Sequence, residues 1–435
     1  MLVIAPLKPC YLVWPAEAKK WTDFRDLRVE VLHGPKKDEA LARDADVYVI
    51  NPEGLDWLVG AHKITSPTGR IAIVADVKRF KNLGFDILVV DELTKFKHHG
   101  SARFKTLTAI HGTFGRRWGL TGTPVPNGLI DLFGQCYVLD QGAALGRFVT
   151  HYRREYFEPS FDGFSWILRK GSAERIYERI DPLVLRLAAA DYIDMPDLVT
   201  NVVRFDLPPK ARKIYDKLEA EFFLALDDGV VNVANAATMT TKLRQIASGG
   251  IYVDDPATAD ALGLTGAPKL RKWVNLHDEK VDLVEGLTEE LQGSPLLVAY
   301  DFQHDLDRLK ARFGVDVPWI GGGTSPTRTV QLEALWNRGE LPLLLGHPQS
   351  IGHGLNLQKS GNHVCWHSLT WDYELYDQFI RRVYRQGAVH KRVFVHHLVA
   401  RDTIDEMIYW ALQAKGKGQQ ALFDGLQAMK KARRR

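Results

Sequence analysis

The sequence Ile-Leu-Val-Val-Asp-Glu at residues 87–92 decides the fold class of this chain. Four consecutive apolar residues predict a strand that is buried on both faces, as the strands of a parallel sheet are. Two adjacent acids, Asp91 and Glu92, end the strand at its carboxyl edge, where α/β sheets bind their ligands. One carboxylate can hold Mg²⁺ on a nucleotide while the other orients an attacking water. The alternative interpretation is a strand end with two solvated acids.

Short apolar runs on both sides of this strand predict further strands, and the mixed segments between them predict helices. The chain before residue 143 alternates in this way, and a second block of the same kind begins near residue 294. Strands are predicted at residues 2–6, 28–34, 46–52, 70–76, 86–92, 116–124, 295–300, 317–322, 342–348, 363–368 and 392–399, and helices at 15–24, 105–113, 207–226, 373–384 and 403–414. The pattern therefore predicts an α/β protein with two parallel-sheet blocks.

The composition fits a globular chain of two or three domains. Of 435 residues, 45% are hydrophobic and 25% are charged, an average balance that excludes a disordered or fibrous chain. The formal net charge is +4, a mildly basic balance that permits an anionic partner without requiring one. Three widely spaced cysteines indicate neither a disulfide framework nor a zinc site. No apolar run in the sequence is long enough to cross a membrane.

Three further segments carry residues suited to phosphate chemistry. The sequence Thr-Gly-Thr-Pro at residues 121–124 offers two hydroxyls that can relay hydrogen bonds from a phosphate site. Small residues in segment 346–358 let the backbone approach a ligand closely. In segment 378–387, Arg382 and Arg385 stand three residues apart on a predicted helix, so they project together and can clamp phosphate charge. The alternatives are an ordinary turn for the first segment, a glycine-rich loop without a ligand for the second, and a solvated arginine helix or a contact to a nucleic-acid phosphate backbone for the third.

The order of these segments resembles the Swi/Snf branch of the superfamily-two helicases, particularly its compact bacteriophage and bacterial members. The resemblance runs from about residue 2 to residue 413 and is carried by seven segments. They are VIAPLKPCYLVWPAEAKKW (3–21), VYVINPEGL (47–55), VVDELTKFK (89–97), WGLTGTPVPN (118–127), LLVAYDFQHDLDRL (296–309), GHPQSIGHGLNLQ (346–358) and WDYELYDQFIRRVYRQG (371–387). The resemblance implies two RecA-like parallel-sheet lobes, with ATP and Mg²⁺ in the cleft between them and double-stranded DNA across both.

The resemblance also implies roles for single residues of the first lobe. Asp91 matches the acid that holds Mg²⁺, and Glu92 matches the acid that orients or activates the attacking water. Thr121 and Thr123 match the element that couples hydrolysis to lobe movement. Asn51 falls in an element that lines the DNA path of such proteins.

In the second lobe, the resemblance points to two groups of residues. Gln378, Arg382 and Arg385 match the motif that supplies arginine fingers to the nucleotide. Gly354 and Asn356 match the loop that contacts nucleotide and DNA. The resemblance therefore places both groups at one nucleotide site.

An arginine- and aromatic-rich stretch at residues 147–170 interrupts the α/β pattern between the two blocks. Interleaved cations and rings suit the backbone and bases of DNA, and Arg153 and Arg154 are the candidate contacts. The alternative is an arm whose aromatic rings pack on a lobe and whose arginines are solvated. We expect a first lobe at residues 1–145, an insertion or bridge at 146–206, a second lobe at 207–423 and a basic tail at 424–435.

One element of the resembled family is missing from this sequence. No G-x-x-x-x-G-K-[ST] loop occurs, although such a loop supplies backbone donors, a lysine and a Mg²⁺ ligand. We expect a first lobe that lacks an N-terminal strand–loop–helix unit of roughly 30 residues, through a mis-set start, a truncated gene or a split protein.

Three functions stay open on this sequence. The first is a DNA-dependent ATPase that translocates on or remodels double-stranded DNA. The second is a hydrolysis-deficient DNA-binding remnant, and the third is half of a split ATPase that a separate N-terminal segment completes. We also expect a monomer unless a separate segment completes the enzyme, no membrane contact, and a location in the cytoplasm of a bacterium or a phage-infected host.

Overall fold

The computed structural model describes residues 1–65, 71–122, 125, 128–159, 166–185, 195–227, 233–253, 273–352 and 354–414. The chain divides into two compact units, Met1–Leu187 and Ala188–Arg435, each with its own parallel sheet. These units confirm the prediction of an α/β protein with two parallel-sheet lobes. The predicted basic tail and Thr123 lie outside the described residues.

The first unit is built on a five-stranded sheet. The strands of this unit are β1 (Leu2–Ile4), β2 (Val29–Val31), β3 (Val47–Ile50), β4 (His62–Thr65), β5 (Ile71–Val74), β6 (Ile87–Asp91), β7 (Arg116–Leu120), β8 (Phe157–Pro159) and β9 (Trp166–Leu168). The helices are α1 (Leu7–Leu12), α2 (Trp14–Lys20), α3 (Lys37–Ala42), α4 (Leu55–Leu58), α5 (Val77–Lys81), α6 (Ala102–Ile110), α7 (Leu132–Asp140), α8 (Val149–Tyr156) and α9 (Ser172–Ile180). The sheet order is β2-β3-β1-β6-β7, and these neighbours pair in parallel.

The interior strand β6, between β1 and β7, is buried on both faces of this sheet. Leu88 and Val90 are 0% exposed in one core, and the intervening Val89 faces a second core at 4% exposure. Alternate side chains of a strand point to opposite faces, so a strand covered on both faces needs an unbroken apolar run. Burial on both faces explains why residues 87–90 are all apolar. Asp91 is the residue at which the strand leaves the core.

Residues 71–74 form a strand, as predicted, but not a strand of the five-stranded sheet. They make β5, which pairs antiparallel with β4 in a two-stranded sheet. A short apolar run predicts a strand without fixing its partner, because parallel and antiparallel pairing both accept such a run. The assignment of this run to the main βαβ alternation is therefore corrected.

The second unit is built on a six-stranded sheet. The strands of this unit are β10 (Asp197–Phe205), β11 (Gly250–Tyr252), β12 (Trp273–Asn275), β13 (Leu296–Ala299), β14 (Trp319–Ile320), β15 (Leu343–Gly346), β16 (His363–Trp366) and β17 (Arg392–Ala400). The helices are α10 (Pro209–Asp227), α11 (Val233–Ser248), α12 (Glu279–Glu290), α13 (Gln303–Phe313), α14 (Pro326–Asn337), α15 (Pro348–Ile351), α16 (Tyr373–Ile380) and α17 (Ile404–Gln413). The sheet order is β10-β17-β16-β13-β15-β14, again with parallel neighbours.

The stretch assigned to a bridge, residues 146–206, contributes to both units. Its first part forms α8, α9 and the β8–β9 hairpin, which belong to the first unit. Residues 197–205 form β10, which pairs with β17 over nine residues at the edge of the second sheet. An edge strand keeps polar side chains on its exposed face, and these obscure its strand pattern in the sequence.

Helix α14 of the second unit has a clear beginning in the sequence. The hydroxyl of Ser325 accepts a hydrogen bond from the Arg328 N–H, and Pro326 takes the first helical position. Leu332 and Trp336 are 0% exposed, so they anchor this helix in the core. The position of α14 is therefore fixed at both its start and its buried face.

None of the described helices combines the length and the apolar character that a membrane-spanning helix requires.

Candidate functional site

Polar side chains collect at the carboxyl edge of the first sheet. Because the strands are parallel, the residues that follow β3, β6 and β7 meet along this edge. The edge therefore carries Asn51, the acid pair Asp91 and Glu92, and Thr121, all of which the sequence singled out.

Asp91 is a partly buried acid at the end of β6. Its Oδ2 accepts a hydrogen bond of 3.1 Å from the indole N–H of Trp14 at the start of α2. Burial raises the pKa of the Asp91 carboxyl group above its ordinary value, while the Trp14 indole and the Glu92 backbone N–H act in the opposite direction. A carboxylate that has lost part of its hydration favours a cation as its partner.

Glu92 has an unusual backbone conformation. Its φ is 62° and its ψ is 64°, in the left-handed region that residues other than glycine rarely adopt. The conformation costs roughly 1–2 kcal/mol for an L-residue, so the surrounding structure must impose it. Strained residues of this kind concentrate at functional sites, which supports a functional role for Glu92.

Two threonines hold the Glu92 side chain. Thr94 Oγ1 donates to Glu92 Oε1 at 2.6 Å, and Thr121 Oγ1 donates to the same oxygen at 3.4 Å. Leu120 of β7 pairs with Asp91 of β6, so the next residues of the two strands, Thr121 and Glu92, lie side by side. The structure thus brings two of the predicted segments into contact.

Asn51 lies at this edge but faces inward. It is 6% exposed, and its Nδ2 donates to Glu53 Oε2 at 2.7 Å. Its Oδ1 has no hydrogen-bond partner among the residues that the structure describes. A contact between the Asn51 side chain and DNA would require this side chain to become accessible, and it stays a prediction.

Arg153 and Arg154 lie on α8. The Arg153 guanidinium is 5.4 Å from the ring centroid of Trp166, and the Arg154 side chain is exposed. Three aromatic residues of the same stretch, Tyr152, Tyr156 and Phe157, are 1–3% exposed in a core of their own. Three of the five Phe, Tyr and Trp residues that the structure describes in this stretch therefore pack in the core, as the alternative interpretation held, while Arg154 is exposed and Arg153 is partly buried.

The arginines of the second unit do not lie on a helix. Helix α16 ends at Ile380, so Arg382 and Arg385 occupy the turns that follow it. The expectation of an i, i+3 pair on a helix was wrong, because the predicted helix was extended to residue 384 whereas the helix ends at Ile380 and turns follow it. Hydrogen bonds to a neighbouring loop, rather than a shared helix face, hold the two side chains close to one another.

The loop after α15 binds both arginines. Arg382 Nη1 donates to Leu355 O at 3.1 Å, and the Leu357 N–H donates to Arg382 O at 2.9 Å. Arg385 Nη1 donates to Asn356 Oδ1 at 2.5 Å. The predicted arginine residues and the predicted loop residue Asn356 therefore form one cluster within the second unit.

Gln378 and Gly354 border this cluster. Gln378 is 7% exposed, its Nε2 donates to Glu374 Oε1 at 3.2 Å, and its backbone oxygen accepts from Arg382 Nε at 3.0 Å. Gly354 has a φ of 77°, a conformation that favours glycine at this point of the loop. Both predicted residues thus support the geometry of the arginine cluster.

The acid pair suits a metal ion that arrives with a nucleotide. Among the described residues there is no group of three or more His, Cys, Asp or Glu side chains that could hold a metal. Mg²⁺ is commonly held by one or two carboxylates, waters and substrate phosphates rather than by a cage of protein ligands. The carboxylate of Asp91 suits this mode of binding.

Several residues at these sites escaped the sequence analysis. Trp14 contacts Asp91 across 77 residues of sequence, and Thr94 and Glu333 contact the predicted residues Glu92 and Asn356. Of these three residues, only Thr94 could have been predicted from the sequence, because it lies two residues after Glu92. The partners Trp14 and Glu333 are set by tertiary packing, which no local pattern reveals.

Comparison with known proteins identifies the family of the chain. The family described as the SNF2-related domain matches residues 1–249, more than half of the chain. The protein p41 of Acyrthosiphon pisum secondary endosymbiont phage 1 is 36% identical, over 99% of this chain and 88% of that protein.

More distant relatives match the chain at lower identity. An uncharacterized ATP-dependent helicase of Mycoplasma pneumoniae is 23% identical over 77% of this chain and 30% of its own length. The CHD3-type chromatin-remodeling factor PICKLE of Arabidopsis thaliana is 24% identical over 93% of this chain and 29% of its own length. The chain thus covers about a third or less of these two relatives.

A solved structure of the Sulfolobus solfataricus SWI2/SNF2 ATPase core in complex with dsDNA is 22% identical, with 95% of this chain and 80% of that chain covered and a TM-score of 0.37. The family match over residues 1–249 and the extended similarity to the phage protein agree with the motif order in the sequence. The chain belongs to the SNF2-related domain family.

Proposed function

We propose that the chain is a DNA-dependent ATPase of the Swi/Snf type, which couples ATP hydrolysis to translocation on or remodelling of double-stranded DNA. The observation that carries the proposal is the Glu92 carboxylate, which a strained backbone holds beside Asp91 and which Thr94 and Thr121 bind. Family membership supports ATP as the substrate, and relatives named as a helicase and a chromatin-remodeling factor support a nucleic-acid partner.

The residues of the first unit take separate roles in this proposal. Mg²⁺ bound with ATP would neutralise the charge on the phosphates. Asp91, which is partly buried and bound by Trp14, would supply the carboxylate that holds the ion. Glu92 accepts a hydrogen bond from the attacking water and orients it, and Thr121 keeps the Glu92 carboxylate in place.

The arginine cluster of the second unit takes the electrostatic role. Arg382 and Arg385 stabilise the negative charge that develops on the transferring phosphate group. Their bonds to the Leu355–Asn356 loop pre-organise the guanidinium groups, so that little reorganisation is needed during the reaction. Gln378 and Gly354 support that loop and turn.

A second candidate follows from the sequence itself. The 435 residues contain no G-x-x-x-x-G-K-[ST] sequence. The nucleotide site proposed at Asp91 and Glu92 therefore has no lysine from such a loop to bind the phosphates. We therefore propose that turnover needs a phosphate-binding loop from outside these residues. If a separate segment supplies that loop, the chain is one part of a split ATPase; without any such loop, the chain would act as a DNA-binding protein that does not hydrolyse ATP.

The test is ATP hydrolysis with and without double-stranded DNA. We expect residues 1–435 alone to show little or no DNA-stimulated turnover. We expect turnover when a strand–loop–helix segment with a G-x-x-x-x-G-K-[ST] sequence is fused at the N-terminus. In this extended protein, Glu92→Gln, Arg382→Ala and Arg385→Ala should each reduce kcat by on the order of 100-fold or more.

The control is Arg312→Ala, which removes an arginine that pairs with Asp282 and Glu285 on α12. It should leave turnover unchanged. Full turnover by the extended Arg382→Ala and Arg385→Ala variants would refute the arginine-finger assignment. Robust turnover by residues 1–435 that Glu92→Gln abolishes would refute the need for an external loop.

A further inference from the structure

The C-terminal half of α14 binds the loop that holds the arginines. The Asn356 N–H donates to Glu333 Oε1 at 2.7 Å, and the Trp336 indole donates to Leu357 O at 2.8 Å. Asn337 Nδ2 donates to Asn356 O at 2.7 Å. Residues 333, 336 and 337 share one face of the helix because they are three and four positions apart. The loop is therefore attached to a helix whose own position is fixed by the core.

Contacts run without a gap from α14 to the arginine cluster. Glu333 binds the backbone of Asn356, and the side chain of Asn356 binds Arg385. The neighbouring Leu355 carbonyl binds Arg382. A change at Glu333 is thus transmitted to both guanidinium groups through one short segment of backbone.

Glu333 also provides charge to this region. Burial raises the pKa of its carboxyl group, while the Asn356 N–H and then the positive charges of Arg382, Arg385 and Lys359 act to lower it. The Glu333 carboxylate is therefore partly buried, is fixed by a backbone hydrogen bond and feels the positive charges of these three side chains. An anion that enters this cluster meets Glu333 as a competitor for the same cations.

We propose that Glu333 is a positioning residue of the proposed nucleotide site: its carboxylate holds the Asn356 loop and serves as the internal counter-charge of Arg382 and Arg385, which a phosphate group of the ligand replaces on binding. The inference rests on the proposed function for the identity of that ligand. It assigns to α14 the task of keeping the arginines ordered in the absence of the phosphate.

Binding of inorganic tripolyphosphate to the purified chain at low salt, measured by calorimetry, tests the proposal. Glu333→Gln keeps the shape and an acceptor for the Asn356 N–H but removes the charge. We expect it to bind the probe about fivefold more tightly, the effect of one unit charge at close range under solvent screening. Glu333→Ala should bind more weakly than Glu333→Gln, because it also loses the acceptor that orders the loop.

Two controls separate this role from general effects. Glu340→Gln removes an exposed acid that pairs with Arg338, and it should leave the affinity unchanged. Adding Arg385→Gln to Glu333→Gln should abolish the gain in affinity, since the gain depends on that cation. Thermal unfolding of each variant verifies the fold, and mere structural damage would lower the affinity rather than raise it.

The proposal is overturned if Glu333→Gln binds tripolyphosphate no more tightly than the unmodified chain, absence of binding by both proteins included. It is also overturned if Glu340→Gln gives the same gain. Neither DNA nor turnover enters this measurement, so a failure of the proposed ATPase function would show itself separately, as an extended chain that does not hydrolyse ATP.

Discussion

At the scale of single residues, two neighbouring residues of the candidate site have features that destabilise the folded state. Glu92 adopts a left-handed backbone conformation, and the adjacent Asp91 is a partly buried acid with a raised pKa. Each feature disfavours the folded state, and the rest of the lobe must compensate for both. Conflicts of this kind between local preference and fold are expected where function is selected.

We predict that Asp91→Asn stabilises the chain. Burial raises the pKa of Asp91, so the folded state binds a proton more readily than the unfolded state does. The free-energy cost of keeping the charged Asp91 carboxylate partly buried is present above its folded-state pKa, and this cost disappears as the pH falls through that pKa. Near neutral pH, the variant should gain roughly 0.5–1 kcal/mol in free energy of unfolding, and the gain should shrink in mildly acid solution.

Urea unfolding followed by circular dichroism at the two pH values measures this gain. Asp26→Asn, which replaces an exposed acid of the same unit, serves as the control and should have no such effect. An Asp91→Asn variant that is less stable than the unmodified chain at neutral pH would show that the carboxylate stabilises the fold.

The sequence predicted the acid pair but not its surroundings. Asp91 and Glu92 stand out because they end an apolar run, which is a local pattern. The bond from Trp14 and the bond from Thr121 join residues that are 77 and 29 positions apart. Such contacts depend on strand order and register, which hydrophobic periodicity alone does not specify.

At the scale of elements, strand and helix positions were largely predictable, whereas partners and ends were not. The apolar runs gave β1, β6, β13 and β15 close to their observed bounds. The partner of β5 and the end of α16 before Arg382 were missed. Pairing and helix termination both depend on hydrogen bonds that are made in three dimensions.

The turn that follows the acid pair is packed closely against α7. A Cβ atom added to Gly134 of α7 would lie 2.6 Å from Phe96 O and 2.5 Å from Lys97 O. Real Cβ atoms do not approach backbone oxygens so closely, and the turn carries Glu92 at its start. The helix therefore needs glycine here to reach the turn, despite the poor helix propensity of that residue.

We predict that Gly134→Ala lowers the free energy of unfolding by about 1–3 kcal/mol, because α7 must move away from the turn. The matched control is Gly286→Ala in the interior of α12, where an added Cβ atom meets nothing within 4 Å. That variant should be more stable by up to about 1 kcal/mol, from helix propensity alone. Urea unfolding of both variants measures the difference, and two changes of the same sign would contradict the account.

At the scale of the whole molecule, charge is nearly balanced. A formal net charge of +4 on 435 residues gives little long-range attraction to DNA. Any affinity must therefore come from local groups of cations, and many surface arginines are already paired. Arg28, for example, binds Asp44 at 2.7 Å and Asp46 at 3.1 Å. Arg154 on α8 is exposed, and Arg153 lies over the half-exposed ring of Trp166.

We predict that residues 1–435 bind double-stranded DNA weakly and without sequence preference, with an affinity that falls steeply as salt rises. Contacts to phosphates release counterions, so each lost contact reduces the slope of log affinity against log salt by roughly one. Arg153→Gln and Arg154→Gln should each show this reduction, and Arg28→Gln should not, because Asp44 and Asp46 already neutralise Arg28. Fluorescence titration at several salt concentrations measures the slopes. If a chain that circular dichroism shows to be folded does not bind at low salt, the proposed DNA partner is wrong, and an equal loss for Arg28→Gln would place the DNA contact elsewhere than on α8.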